Sequence, residues 1–140
     1  DQIAKTGDIE VKGFKGDIEF RNVRFSYNKG EEVLKGISFD VKAGETVAIV
    51  GATGAGKSTI INLVNRFYEI DEGEICIDNT NIFHFTLSSL RNQIAVVLQD
   101  VFLFSDSILN NITLNNANIT LEEVRNAAKQ GGATIQGRCY

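Results

Sequence analysis

The sequence predicts an α/β fold in which a strand, a P-loop and a helix form the core and an antiparallel β-subdomain leads into them. Three observations predict it. Val47, Ala48, Ile49 and Val50 form a continuous apolar run, the pattern of a strand buried on both faces, and it ends in a glycine-rich loop closing on Lys57-Ser58. Immediately after the loop the apolar positions Ile60, Leu63, Val64 and Phe67 recur at helical spacing. Before the loop, two alternating stretches are separated by turn residues.

Residues 1–16, with Gly7, Gly13 and Gly16, read as a linker or frayed lead-in. The first strand starts at Asp17, with Ile18 and Phe20 on one parity and Val23, Phe25 and Tyr27 on the other. The parity switches by one residue near Arg21-Asn22, so a bulge or bend is predicted there to keep both sets on one face. Asn28-Lys29-Gly30 is a turn, a second strand runs through Ile37, Phe39 and Val41, and Lys42-Ala43-Gly44-Glu45 turns back toward the loop. The helix after the loop is expected to end near Phe67 or Tyr68.

Asp71-Glu72-Gly73 then makes a turn, and Glu74 to Asp78 reads as a strand with Ile75 and Ile77 on one face and Cys76 on the other. Asp78-Asn79 opens another turn in which Asn can take the left-handed conformation. A short helix over Leu87 to Arg91 has Thr86 as its N-cap. Ile94 to Leu98 is a second buried apolar run, ending at Gln99-Asp100. A helix is expected from Ser105-Asp106 through Ile112, and the capping box Thr120-Leu121-Glu122-Glu123 opens another, with Leu121, Val124 and Ala128 facing inward and Gly131-Gly132 stopping it. The Asn-rich stretch from Asn110 to Asn118 marks a loop between these short helices.

With 140 residues the chain is long enough for one domain with its own core. A net charge of −4 and the lack of a basic run argue against nucleic acid as a partner. No apolar stretch reaches the roughly 20 residues that span a bilayer, the first residues lack a signal-peptide core, and a soluble chain is expected. Cys76 and Cys139 have no CxxC or histidine companions, which excludes the usual metal patterns and points to a reducing compartment. Cys76 reads as a small packed hydrophobe and the lone His84 as a loop residue.

Gly51-x-x-x-x-Gly56-Lys57-Ser58 matches the Walker A pattern at each fixed position. The glycines let backbone N–H groups bend round a phosphate, and the positive end of the following helix dipole favours the anion. Gly51, Thr53, Gly54, Ala55, Gly56, Lys57, Ser58 and Thr59 are therefore the candidate nucleotide-binding residues. Lys57 is placed at the β- and γ-phosphates, Ser58 on Mg²⁺, and Thr59 near the α-phosphate. The alternative is a glycine turn beside a surface lysine. Tyr27 by itself is equally an ordinary strand-end aromatic, and Asp100, closing an apolar run, has the look of a magnesium-binding carboxylate.

Taken together, GDIEFRNVRFSY, VLKGISFDVKAGETVAIVGATGAGKST, LVNRFYEIDEGEICID, LSSLRNQIAVVLQDVFLFSDSILNNI and LEEVRNAA resemble the nucleotide-binding domain of an exporter-type ABC transporter, from about Gly16 to Ala128. The resemblance implies ATP and Mg²⁺ as cofactors, Tyr27 as the aromatic that stacks on adenine, and Gln99 as the glutamine that contacts Mg²⁺ on the γ-phosphate side. It makes Lys57 and Gln99 the residues closest to the chemistry and turns Asp100 into a loop residue. It further implies a membrane domain as partner at the Gln99 region, a second nucleotide-binding domain, and a place on the cytosolic face of a membrane. The family's signature motif, its Walker B strand ending in Asp-Glu, its D-loop and its switch histidine do not follow in this sequence, so the resemblance covers about the first half of the domain: residues 17–132, with 133–140 an unassigned tail.

On this reading the chain is the ATP-binding part of a protein that couples ATP binding and hydrolysis to transport, and alone it binds nucleotide weakly with little turnover. Two alternatives stand beside it: a non-catalytic nucleotide-binding or interaction stub, and another P-loop NTPase. Against the last, no NKxD-type guanine-reading motif is present and no arginine-rich lid lies between Asn92 and Ala128.

Overall fold

The computed structural model describes residues 7–98, 100 and 102–132. Gln99, residues 1–6 of the lead-in and the tail at 133–140 lie outside them. The chain divides into two compact units, Asp1–Val96 and Val97–Tyr140.

In the first unit, β1 (Ile18–Ser26), β2 (Glu32–Val41), β3 (Glu72–Ile77) and the two-residue β4 (Thr80–Asn81) form one antiparallel sheet in the order β2-β1-β3-β4. The expected bulge is present. Phe20 pairs with Phe39 and Val23 with Ile37, so Arg21 and Asn22 oppose Ser38 alone. Asn22 takes φ 47°. Its backbone N–H donates to the Ser38 hydroxyl at 2.8 Å, and that hydroxyl donates back to the Asn22 side chain at 3.2 Å. The inserted residue brings Phe20, Val23 and Phe25 into the same core despite their opposite parity.

That core lies between the sheet and the short helices that follow. It gathers Phe20, Val23, Phe25, Leu34, Ile75 and Ile77 from the strands, together with Leu63 of α1 (Lys57–Val64), Ile82 of a 3₁₀ turn (Ile82–His84), Phe85, and Leu90 of α2 (Leu87–Asn92). Thr86 caps α2 as expected, its hydroxyl accepting from the Ser89 N–H. Cys76 is buried on β3, between Glu19 of β1 and Asn81 of β4, and burial pushes its thiol up. His84 ends the 3₁₀ turn and is exposed. Val11 and Phe14, in the stretch expected as a lead-in, pack against the core.

Helix α1 stops three residues short of the expected Phe67, at Val64. Arg66 turns left-handed with φ 52°, while the Phe67 N–H donates to the Asn62 carbonyl and the Arg66 N–H to the Leu63 carbonyl, both at 3.0 Å. This is a Schellman closure with Arg where Gly is usual. The reason is tertiary: the buried Arg66 guanidinium donates to the carbonyls of Ile82 at 3.1 Å and Phe85 at 2.7 Å. Arg91 of α2 finishes the end, donating to the Asn65 and Arg66 carbonyls at 3.1 and 3.0 Å.

Two expected strands do not form. Residues 47–50 carry no ladder, with Val47 at 52% exposure and Val50 at 87%. Residues 94–98 likewise lack a ladder, and Val97 and Leu98 are exposed. An apolar run becomes a strand only where another chain segment takes up its N–H and C=O groups, and among the described residues none does so for either run.

The second unit holds α3 (Ile108–Thr113) and α4 (Leu121–Gln130). Helix α3 starts later than expected because Ser107 is its N-cap, its hydroxyl accepting from the Asn110 N–H at 3.0 Å. Asn111 ties the preceding loop down, accepting from the Phe104 N–H at 2.7 Å and donating to the Ser107 carbonyl at 2.9 Å. The capping box of α4 is complete between Thr120 and Glu123. Of the three residues expected to face inward, Val124 is buried and Ala128 half-buried, while Leu121, the first helical residue, is exposed.

Candidate functional site

The glycine loop runs from Gly51 into α1, and the geometry of its residues follows from two left-handed glycines. Gly54 and Gly56 take φ 83° and 89°. A Cβ at Gly54 would meet nothing within 4 Å, so that position faces open space. A Cβ at Gly56 would lie 2.7 Å from Leu34 Cδ2 and 3.3 Å from Val33 Cγ1, so the loop leans directly on β2 at the N-cap of α1.

Gly51, Thr53, Gly54 and Ala55 are exposed, as is Ser58 in the first turn of α1. Lys57 folds over the loop, its Nζ donating to the Gly51 carbonyl at 2.6 Å and the Ala52 carbonyl at 2.8 Å. An ammonium has three protons to give, so the loop takes two of them and its backbone is braced in the process.

Thr59 is buried, and its Oγ1 lies 3.0 Å from the hydroxyl of Tyr27 at the end of β1. The structure thus brings Tyr27 to the side of α1, although 32 residues separate them in the chain. Tyr27 keeps 44% of its surface exposed. Its ring meets Phe25 edge-on at 4.8 Å and Tyr68 edge-on at 5.0 Å, the latter at an interplanar angle of 89°. Tyr68, itself exposed, was not singled out by sequence reasoning. Its signal was the aromatic pair Phe67-Tyr68 just where α1 should stop. Gln99 lies outside the described residues, so the structure places eight loop residues and Tyr27 and is silent on the glutamine.

The loop suits a phosphate group on its own terms. The N-terminus of α1 has no side-chain cap and no acid in its first turn, leaving its N–H groups and dipole free for an anion. The exposed Ser58 hydroxyl in the first turn of α1 is an oxygen of the kind a magnesium ion takes, an ion that keeps most of its shell in water and phosphate. No described helix is long and apolar enough to cross a membrane.

The family model described as "ABC transporter" matches residues 34–136. The ATP-dependent lipid A-core flippase of Pectobacterium atrosepticum is 47% identical over 135 residues, which is 95% of this chain and 23% of that protein. ABC transporter B family member 24, mitochondrial, of Arabidopsis thaliana is 50% identical over 126 residues, 90% of this chain and 18% of that protein. Among solved structures, a bacterial Atm1-family ABC exporter with ATP bound superposes with a TM-score of 0.83 at 42% identity, over 91% of this chain and 23% of that one. The chain spans about a fifth of the length of these relatives.

Proposed function

The chain belongs to the ABC transporter family, and from that premise we propose that it is the ATP-binding portion of an exporter, coupling ATP binding and hydrolysis to movement of a substrate across a membrane. The observation that carries this reading is the uncapped N-terminus of α1 behind an open glycine loop, with an aromatic ring bonded to the same helix. Backbone N–H groups of residues 54–59 would hold the α- and β-phosphates, and Lys57 would exchange its bonds to the Gly51 and Ala52 carbonyls for the β- and γ-phosphates. Ser58 would ligate Mg²⁺, which neutralises phosphate charge when bound. Tyr27 would carry the adenine. Gln99, which follows the apolar run 94–98 in the sequence, would reach the metal and the γ-phosphate side.

The partners that go with this reading are a membrane domain, met near Gln99, and a second nucleotide-binding domain, with the chain on the cytosolic face of a membrane. The relatives named above include a lipid A-core flippase and a mitochondrial protein. They support the reading at the level of an ATP-driven exporter and leave the cargo open.

The test is calorimetric titration with Mg-ATP of the wild type and of Lys57→Ala. Hydrogen bonds to a charged group contribute about 1.5–3 kcal/mol, so the variant should bind roughly ten- to a hundredfold more weakly. Equal affinity of the two proteins, or no binding by the wild type, would overturn the proposal.

A further inference from the structure

Resting on the reading of Tyr27 as the adenine platform, we infer that Tyr68 is a positioning residue that fixes the plane of the Tyr27 ring, and with it the preference for a nucleotide over a bare triphosphate. Tyr27 stands at the last turn of the sheet, just past β1, where the strand no longer restrains it. Among the described residues its side chain meets the Thr59 hydroxyl at 3.0 Å, the Phe25 ring at 4.8 Å and the Tyr68 ring at 5.0 Å. Phe25 belongs to the same strand and moves with it. Thr59 and Tyr68 do not.

Both of those belong to the α1 segment. Thr59 sits in its first turn, and Tyr68 follows directly on the closure at Arg66-Phe67. The segment that carries the phosphate loop therefore meets the base platform at two points, Thr59 within the helix and Tyr68 just past its closure. Thr59 pins the hydroxyl, which sets where the ring tip lies. A single hydrogen bond at the tip leaves the ring free to rotate about its long axis, and the perpendicular Tyr68 ring opposes that rotation. The distance and angle between a base on Tyr27 and phosphates at the loop are then set by contacts from the segment that also carries the loop.

Such a role has a signature that general destabilisation lacks. A residue that acts through the platform should change affinity for ATP and leave affinity for inorganic tripolyphosphate alone, because the latter touches only the loop. The experiment measures both affinities, with Mg²⁺ present, for the 140-residue chain and for its Tyr68→Ala, Tyr68→Phe and Tyr27→Ala variants. Tyr68→Ala is expected to weaken ATP binding about five- to tenfold, in the range of an aromatic contact, with tripolyphosphate within twofold of the wild type. Tyr68→Phe keeps the ring edge and should restore the ATP value.

Loss of ATP preference in Tyr27→Ala but not in Tyr68→Ala would overturn the inference and leave the proposed function standing. Parallel loss of both ligands in Tyr68→Ala would overturn it too, assigning Tyr68 to the fold. A wild type that binds neither ligand, or binds both equally, would overturn the proposed function and this inference with it.

Discussion

Single residues in this chain act mostly by taking up backbone groups that the regular elements leave over. Asp78 is one case. Its carboxylate accepts the N–H groups of Lys15, Gly16 and Asp17 at 2.7, 3.1 and 3.0 Å, tying the segment before β1 to the β3–β4 turn. Partial burial works against the ionised form, but these three donors outweigh it and hold the carboxyl below its ordinary value of 3.8. A lowered carboxylate stabilises the fold in full above that ordinary value, and the contribution is lost as pH falls through the folded-state pKa. Asp78→Asn, which keeps the left-handed turn, should therefore be less stable than wild type at neutral pH, with the gap closing as pH falls below 3.8 and through the lowered folded-state pKa. Urea midpoints across that range check it, and a gap independent of pH would count against the clasp. None of this was legible in the sequence, where Asp78 shows only as a turn former: its donors come from residues 61 to 63 positions away.

Among the elements, β1 was the most legible and α1 the most misleading. The parity switch between Phe20 and Val23 can be reconciled with a single core only by one extra residue, and the bulge at Arg21-Asn22 follows from that necessity. The sequence does not disclose what stands across from it. Gly73 of β3 has φ 92°, and a Cβ there would lie 2.4 Å from the Arg21 carbonyl and 2.5 Å from that of Asn22. Gly73→Ala should cost about 2 kcal/mol or more in chemical denaturation. Gly36 supplies the comparison: its φ is 78°, yet the nearest atom is the flexible Arg24 side chain at 3.7 Å, so Gly36→Ala should cost about half as much. Equal losses would mean that φ alone, and not the bulge carbonyls, sets the price. Helix α1 misled because periodicity runs on through Phe67, while the stop depends on carbonyls of Ile82 and Phe85 that no local pattern announces.

At the scale of the whole molecule, the apolar runs 47–50 and 94–98 read as buried in the sequence, yet both are largely exposed and neither carries a ladder among the described residues. Alternation and β-propensity record what a segment is suited to; a ladder also needs a neighbour in space. The consequence is an uneven distribution of stability. Amide exchange of the 140-residue chain should find residues 47–50 close to the rate of an unstructured peptide, and the centres of β1 and β3 slower by orders of magnitude. Protection of residues 47–50 equal to that of β1 would show that they pair after all. The loop was legible because glycine spacing is a local signal, whereas Tyr27 was singled out only through the family resemblance, a strand-end aromatic having no signal of its own. The bracing of Tyr27 by Thr59 and Tyr68 was not legible, because a hydroxyl pair and a ring contact between distant residues have no local signal. Arg66 adds a matter of timing. The carbonyls that fix its left-handed turn lie 16 and 19 residues downstream. At the ribosome's pace of about 5–20 residues per second, they emerge roughly one to four seconds after it. For that interval the nascent helix behind the phosphate loop has no fixed end.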